Sequence, residues 1–177
     1  MAFVATTEPS AYGAIGASGN DSWFDGKVYS YLVASAVSIA KGDFVKLASS
    51  TTNTINKCSS SAHATNFIGI AVTALDNSDE TVASTRTVGV LREGIAFADI
   101  LVASGSGTQK STVFFDSLLY LADAETGLSS VVGQALTSTA NDQPIARSID
   151  RVDVGSASAL YKGRVYINTL LKATPVA

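Results

Sequence analysis

Reactive side chains are scarce in this chain of 177 residues, which has one cysteine, one histidine, one methionine and one tryptophan. The lone thiol, Cys58, excludes an internal disulfide framework and any metal site built from several cysteines. It reads as a small, partly buried apolar residue. The lone His63 is the imidazole that every Ser-His-Asp or Cys-His arrangement would have to use. Charge is thin as well. Charged residues make up 15% of the chain and the net charge is −3, against about a quarter charged in soluble domains generally. The cations come singly, as at Lys41, Lys46, Lys57, Arg86 and Arg92. Binding a phosphate backbone draws on several cations acting together, so nucleic acid is excluded as an expected partner. No apolar run reaches the roughly 18 to 20 residues that span a bilayer. Met1–Glu8 shows neither the basic start nor the apolar core of a secretory signal. The expectation is a protein made in a cytoplasm, with no membrane partner.

What is present is apolar and small. Hydrophobic residues reach 46%, enough for a core in one domain, and Ser, Thr, Ala and Gly take the place that charge usually holds. Strand formers recur at intervals of about ten residues: Val28–Val33, Phe44–Leu47, Thr54–Cys58, Asn66–Leu75, Thr87–Leu91, Gly94–Ala98, Leu118–Leu121, Leu128–Val131, Val132–Thr137 and Gly163–Asn168. Ile149, Val152 and Val154 add a weaker candidate. Polar turns separate these runs, at Ala40–Asp43, Asp76–Glu80 and Asp123–Gly127. The pattern predicts an all-β fold, a small barrel- or sandwich-like domain of short strands. The one segment that could form a short helix is Ser111–Ser117, with an extended conformation there as the alternative. Within residues 1–25, Tyr12–Asn20 carries too many glycines for a stable helix, and the segment reads as an extended arm that gains order from a neighbour or, equally, as a frayed terminus. The β-rich domain then covers 26–172, and 173–177 form a tail.

Motifs with chemical meaning fail on inspection. Gly105–Ser111 superficially resembles a phosphate loop, but Gln109 stands where glycine should precede the lysine. Gly13, Gly16 and Gly19 lie three apart with no strand before them and no helix after, both of which a dinucleotide site needs. Asp76, Asp79 and Glu80 lack the spacing of a calcium loop and read as a solvated turn. His63 lies in the polar stretch Ser59–Thr65 and reads as an exposed loop residue. No catalytic residue, cofactor site or metal site is expected.

One pattern does recur: an acidic turn, a hydrophobic strand, then Gly-x-Ala-aliphatic-Thr. The first copy runs from Asp43–Leu47 to Gly69–Thr73, the second from Asp116–Leu121 to Gly133–Thr137. A repeated strand–turn–strand unit without reactive groups points to a protein whose work is done by its surface. The order of elements goes further. Ala40-Lys41-Gly42-Asp43-Phe44-Val45, Ile68-Gly69-Ile70-Ala71-Val72 and Val88-Gly89-Val90-Leu91-Arg92-Glu93-Gly94 are followed by Leu119-Tyr120-Leu121-Ala122-Asp123-Ala124-Glu125-Thr126-Gly127-Leu128. Then come Val132-Gly133-Gln134-Ala135-Leu136 and Arg164-Val165-Tyr166-Ile167. In this order, over about residues 40–171, the chain resembles the decoration (cement) proteins of tailed-phage capsids. It departs from them in the Ser/Thr-rich stretch 49–65 and over 141–160.

The resemblance implies a non-enzymatic virion protein on the outer surface of an assembled head, bridging major capsid protein subunits. It also implies a homo-oligomer, with a trimer favoured. On this reading Phe3, Tyr12, Trp23 and Phe24 are the expected anchors of the arm on the capsid or on a neighbouring copy. Two other readings remain open. A carbohydrate- or receptor-binding module of a fibre would stack sugars on Tyr12, Trp23 or Tyr161, and a small hydrolase would use His63.

Overall fold

A computed structural model describes residues 24–49, 53–102, 112–113, 116–122, 134–137, 143–153 and 159–170. The strands in chain order are β1 (Phe24–Val33), β2 (Val37–Ile39), β3 (Phe44–Ser49), β4 (Thr54–Lys57), β5 (Phe67–Ala71), β6 (Leu75–Asn77) and β7 (Thr87–Val102). They continue with β8 (Thr112–Val113), β9 (Leu118–Leu121), β10 (Leu136–Thr137), β11 (Ala146–Ser148), β12 (Val152–Asp153) and β13 (Ala159–Asn168). The fold is all-β, as the strand pattern predicts. Of the two conformations left open for Ser111–Ser117, Thr112–Val113 take the extended one, where β8 pairs with β12. Among the described residues, a 3-10 turn forms at Ser61–Asn66, which covers most of the stretch read as loop and takes in Asn66, read as the first residue of a strand. Ser60 caps it, its hydroxyl accepting from the Ala62 N–H at 3.3 Å, the local bonding that makes serine a good cap.

Nine strands form one hydrogen-bonded sheet in the order β1-β4-β3-β5-β7-β10-β9-β11-β13, and β1 and β13 each also pair with β7. These two extra pairings close the sheet on itself twice. One ring is β1-β4-β3-β5-β7, the other β7-β10-β9-β11-β13, and β7 belongs to both. Closure removes most of the open edges that a sheet of this size would otherwise present. Thr87–Leu91 and Gly94–Ala98, expected as two strands, are consecutive parts of this one sixteen-residue strand.

How one strand lines two cores follows from a single extra residue. On β1, Val28 stands opposite Leu91 and Lys27 opposite Glu93, so Arg92 is unmatched. Such a bulge shifts the alternation of side chains by one. Val88 and Val90 enter the first core with Tyr31, Val33, Val45, Ile55 and Ile68. Leu91, Ala96, Ala98 and Ile100 enter the second with Leu119, Leu121, Leu136, Val165 and Ile167. Phe44, Phe67 and Ile70 come from strands of the first ring yet pack into the second core, where the Phe44 and Phe67 rings meet edge to face at 6.0 Å. An edge-on pair of this kind adds roughly 0.5–1.5 kcal/mol beyond its buried area.

The doubled pattern has half of its expected equivalence. In each copy the two strands pair antiparallel, β3 with β5 and β9 with β10. Against β7, however, β5 runs antiparallel and β10 parallel. The turn before the first copy is built by its own residues. Gly42 takes φ +89°, a conformation open to glycine, and the Asp43 carboxylate accepts from the Ala40 N–H at 2.7 Å. Asn66–Leu75, expected as one strand, divides into β5 and β6, and β6 leaves the main sheet to pair with β2.

Candidate interaction surface

The expected anchors separate. Phe3, Tyr12 and Trp23 lie outside the described residues. Phe24 belongs to β1, opposite Ala96, and its half-buried ring packs against the second core. The arm boundary drawn at residue 25 therefore falls inside a strand, because the Phe24 and Asp25 backbones extend the ladder with β7.

A broader surface comes from the outward side of β7 and its flanking strands. The registers set five residues in one row across the sheet: Asp25, Ile95, Tyr166, Arg147 and Leu118. Residues directly opposite in antiparallel strands share a face. Tyr166 and Leu118 keep 37% and 40% of their surface exposed, so this row is an amphipathic stripe. Ion pairs surround it: Lys27 with Glu93 at 2.7 Å, Asp99 with Lys162 at 3.4 Å, Arg164 with Asp150 at 2.6 Å and Arg147 with Asp116 at 3.0 Å. The hydrogen bond to Glu93 holds the Lys27 ammonium above its ordinary range. The hydrogen bonds from Arg164 hold the Asp150 carboxyl below its own. The row thus sets one aromatic residue, Tyr166, with Ile95, Leu118 and Arg147 inside a rim of ion pairs.

Beside the stripe, Leu118, Pro144, Ile145, Arg147, Tyr166 and Asn168 line a hollow of about 170 Å³. The Asn168 Oδ1 is buried there with no hydrogen-bond partner among the described residues. On the first ring, the loop after β6 encloses a second hollow of about 270 Å³ between Leu75 and Arg86. Its floor is pinned by Asn77, whose amide donates to Ala34 O and Val82 O, each at 3.0 Å.

Two half-buried polar centres hold the rings together, at Gln134 and at Arg92. Gln134 lies in the second ring's Gly-x-Ala segment. Its Oε1 accepts from the Phe44 N–H at 2.9 Å, and its Nε2 donates to Phe44 O at 3.0 Å and Cys58 O at 2.6 Å. The bulge residue Arg92 donates to the Tyr31 hydroxyl, to Thr169 Oγ1 and to Thr169 O, with its guanidinium 5.7 Å from the centre of the Tyr29 ring. Thr169 in turn donates from its hydroxyl to Ile68 O at 2.7 Å. Thr169, directly after β13, is thereby tied to the first ring.

His63 is structural in its contacts, half-buried and not the exposed loop residue expected. Its Nδ1 accepts from the Ser59 N–H at 3.0 Å, and its Nε2 lies 2.7 Å from Lys46 Nζ. Burial and the neighbouring Lys46 both push the imidazole below its usual range. Asp76 accepts from the Ser78 N–H at 3.1 Å, closing the local turn expected there. Among the described residues, no group of three His, Cys, Asp or Glu side chains is placed to hold a metal ion. No protein-family model, no curated protein and no solved structure matches this chain.

Proposed function

We propose that this chain is a structural protein of a tailed-phage head. It binds the outer surface of the capsid and bridges neighbouring major capsid protein subunits, without catalysing a reaction. The observation that carries this reading is the order of motifs shared with capsid decoration proteins. The same residues build the scaffold: Gly42 and Asp43 make the turn before β3, Gly69 allows β5 to approach β7, and Gly94 meets Gly26 where β1 crosses β7. A doubly closed sheet is stiff, and a stiff body repeated over a lattice turns weak contacts into a large sum. The stripe through Ile95, Tyr166 and Leu118 is the described face best suited to another protein.

The test is to add purified protein to assembled heads that lack it, from the phage whose structural genes include this chain. Expected is saturable binding, seen as density repeating with the capsid lattice, that Tyr166→Glu and Leu118→Glu weaken. Heads that stay bare at saturating protein overturn the proposal. The sugar-binding alternative rests on Tyr12, Trp23 and Tyr161, none of whose side chains is among those described.

A further inference from the structure

The first ring is closed at only one end of β1. Leu32 and Val33 pair with Thr54 and Ile55 of β4, while Phe24–Ser30 pair with β7 alone. Among the described residues, their other edge meets no strand. Gly26–Ser30 are exposed on both faces of the strand, and Val28 and Tyr29 each keep 41% of their surface open. An edge of this kind offers a row of unpaired N–H and C=O groups to another chain.

We infer that β1 pairs antiparallel with β1 of a second copy, about a twofold axis at Gly26. The strand is self-complementary in that register. Gly26 meets Gly26, Asp25 of each copy meets Lys27 of the other, and Phe24 meets Val28. An isologous contact doubles every such pair, so one register yields two ion pairs and two aromatic–aliphatic pairs. Asp25 supports the assignment, because its half-buried carboxylate has no ion pair or hydrogen bond among the described residues. Lys27, held against Glu93, would then lie between two carboxylates. Moving the axis one residue, to Lys27, sets lysine against lysine. An axis at Val28 leaves Asp25 facing Tyr31. The Gly26 register alone opposes unlike charges.

Five paired residues per copy make a small interface, weak between free molecules. A closed ring of three copies has no twofold axis, so this contact joins oligomers to one another and does not build a trimer. It is measured on purified protein and stands or falls apart from capsid binding.

The test uses Asp25→Cys and Lys27→Cys proteins, mixed in equal amounts under mild oxidation. Opposed residues in an antiparallel pair have Cα atoms about 4.5–5.5 Å apart, within disulfide reach, while the native thiol of Cys58 is buried. Expected is a mixed disulfide dimer in the mixture, with neither variant alone forming its own dimer at a comparable rate. Asp25→Lys should weaken self-association about tenfold, by turning two attractive pairs repulsive. Adding Lys27→Glu protein should restore pairing between unlike variants. Equal disulfide yields in all three samples overturn the inference, as does Asp25→Lys self-association equal to that of the parent protein.

Discussion

Removing the Gln134 amide tests the account of how the two rings are joined. The side chain reaches from the second ring to the Phe44 backbone of the first, ninety positions away in sequence. Its orientation is set by its neighbours. Two carbonyls, Phe44 O and Cys58 O, need the NH₂, and one N–H needs the oxygen; a flipped amide would face oxygen with oxygen. Gln134→Ala strands the Phe44 N–H in a residue only 2% exposed. A buried donor left alone costs about 1–3 kcal/mol, and each of the two lost bonds to carbonyl oxygen adds about 0.5–1.5 kcal/mol at most. Phe44 O keeps the bond from the Cys58 N–H at 2.8 Å, which lowers that part. The expected loss is therefore about 2–4 kcal/mol, read as a lower urea midpoint with an unchanged slope. Gln134→Met separates the causes, since it keeps the volume and removes the hydrogen bonds. A Met variant that restores the stability Ala loses, or an Ala variant that loses less than about 1 kcal/mol, would show that these hydrogen bonds do not join the rings.

Two further perturbations follow from local geometry. Gly94 has φ +140°, and a Cβ there would lie inside contact distance of Asp25 O and the Gly26 Cα. Gly94→Ala is expected to separate β1 from β7 and leave little soluble, folded protein; a thermal melt like that of the parent chain would contradict it. His63 titrates below its ordinary range when folded, so the unfolded chain takes up its proton first. Stability from this group is complete above about pH 6.5 and falls as pH drops through that value toward the folded pKa. His63→Asn keeps an acceptor for the Ser59 N–H and should flatten this part of the stability–pH curve; a slope equal to the parent's between pH 7 and 5 would show that His63 is not its source.

The class of structure and most strand positions are legible in the order of residues alone. β3, β4, β9 and β13 carry strand formers between polar turns, and those signals depend on residues next to one another. The turn at Ala40–Asp43 was legible for the same reason, since glycine and aspartate act on their own backbone. Scarcity of His, Cys and charge likewise needs no coordinates to limit the chemistry. The candidate site was less legible. Ile95, Tyr166 and Leu118 lie on three strands far apart in sequence, and only the registers bring them into one row.

How the strands close is set by long-range pairing. A period of two marks a strand without naming its neighbours, so nothing local distinguishes one barrel from two rings that share β7. Arg92 looked like a break between two short strands. As a bulge it keeps one strand continuous and turns its apolar side chains from the first core to the second. Gln134 lies in the strand-forming run Val132–Thr137, and its role depends on a backbone ninety residues away. Partners so distant in the chain are chosen by packing and by the need to satisfy buried polar groups, which act only once the sheet has closed.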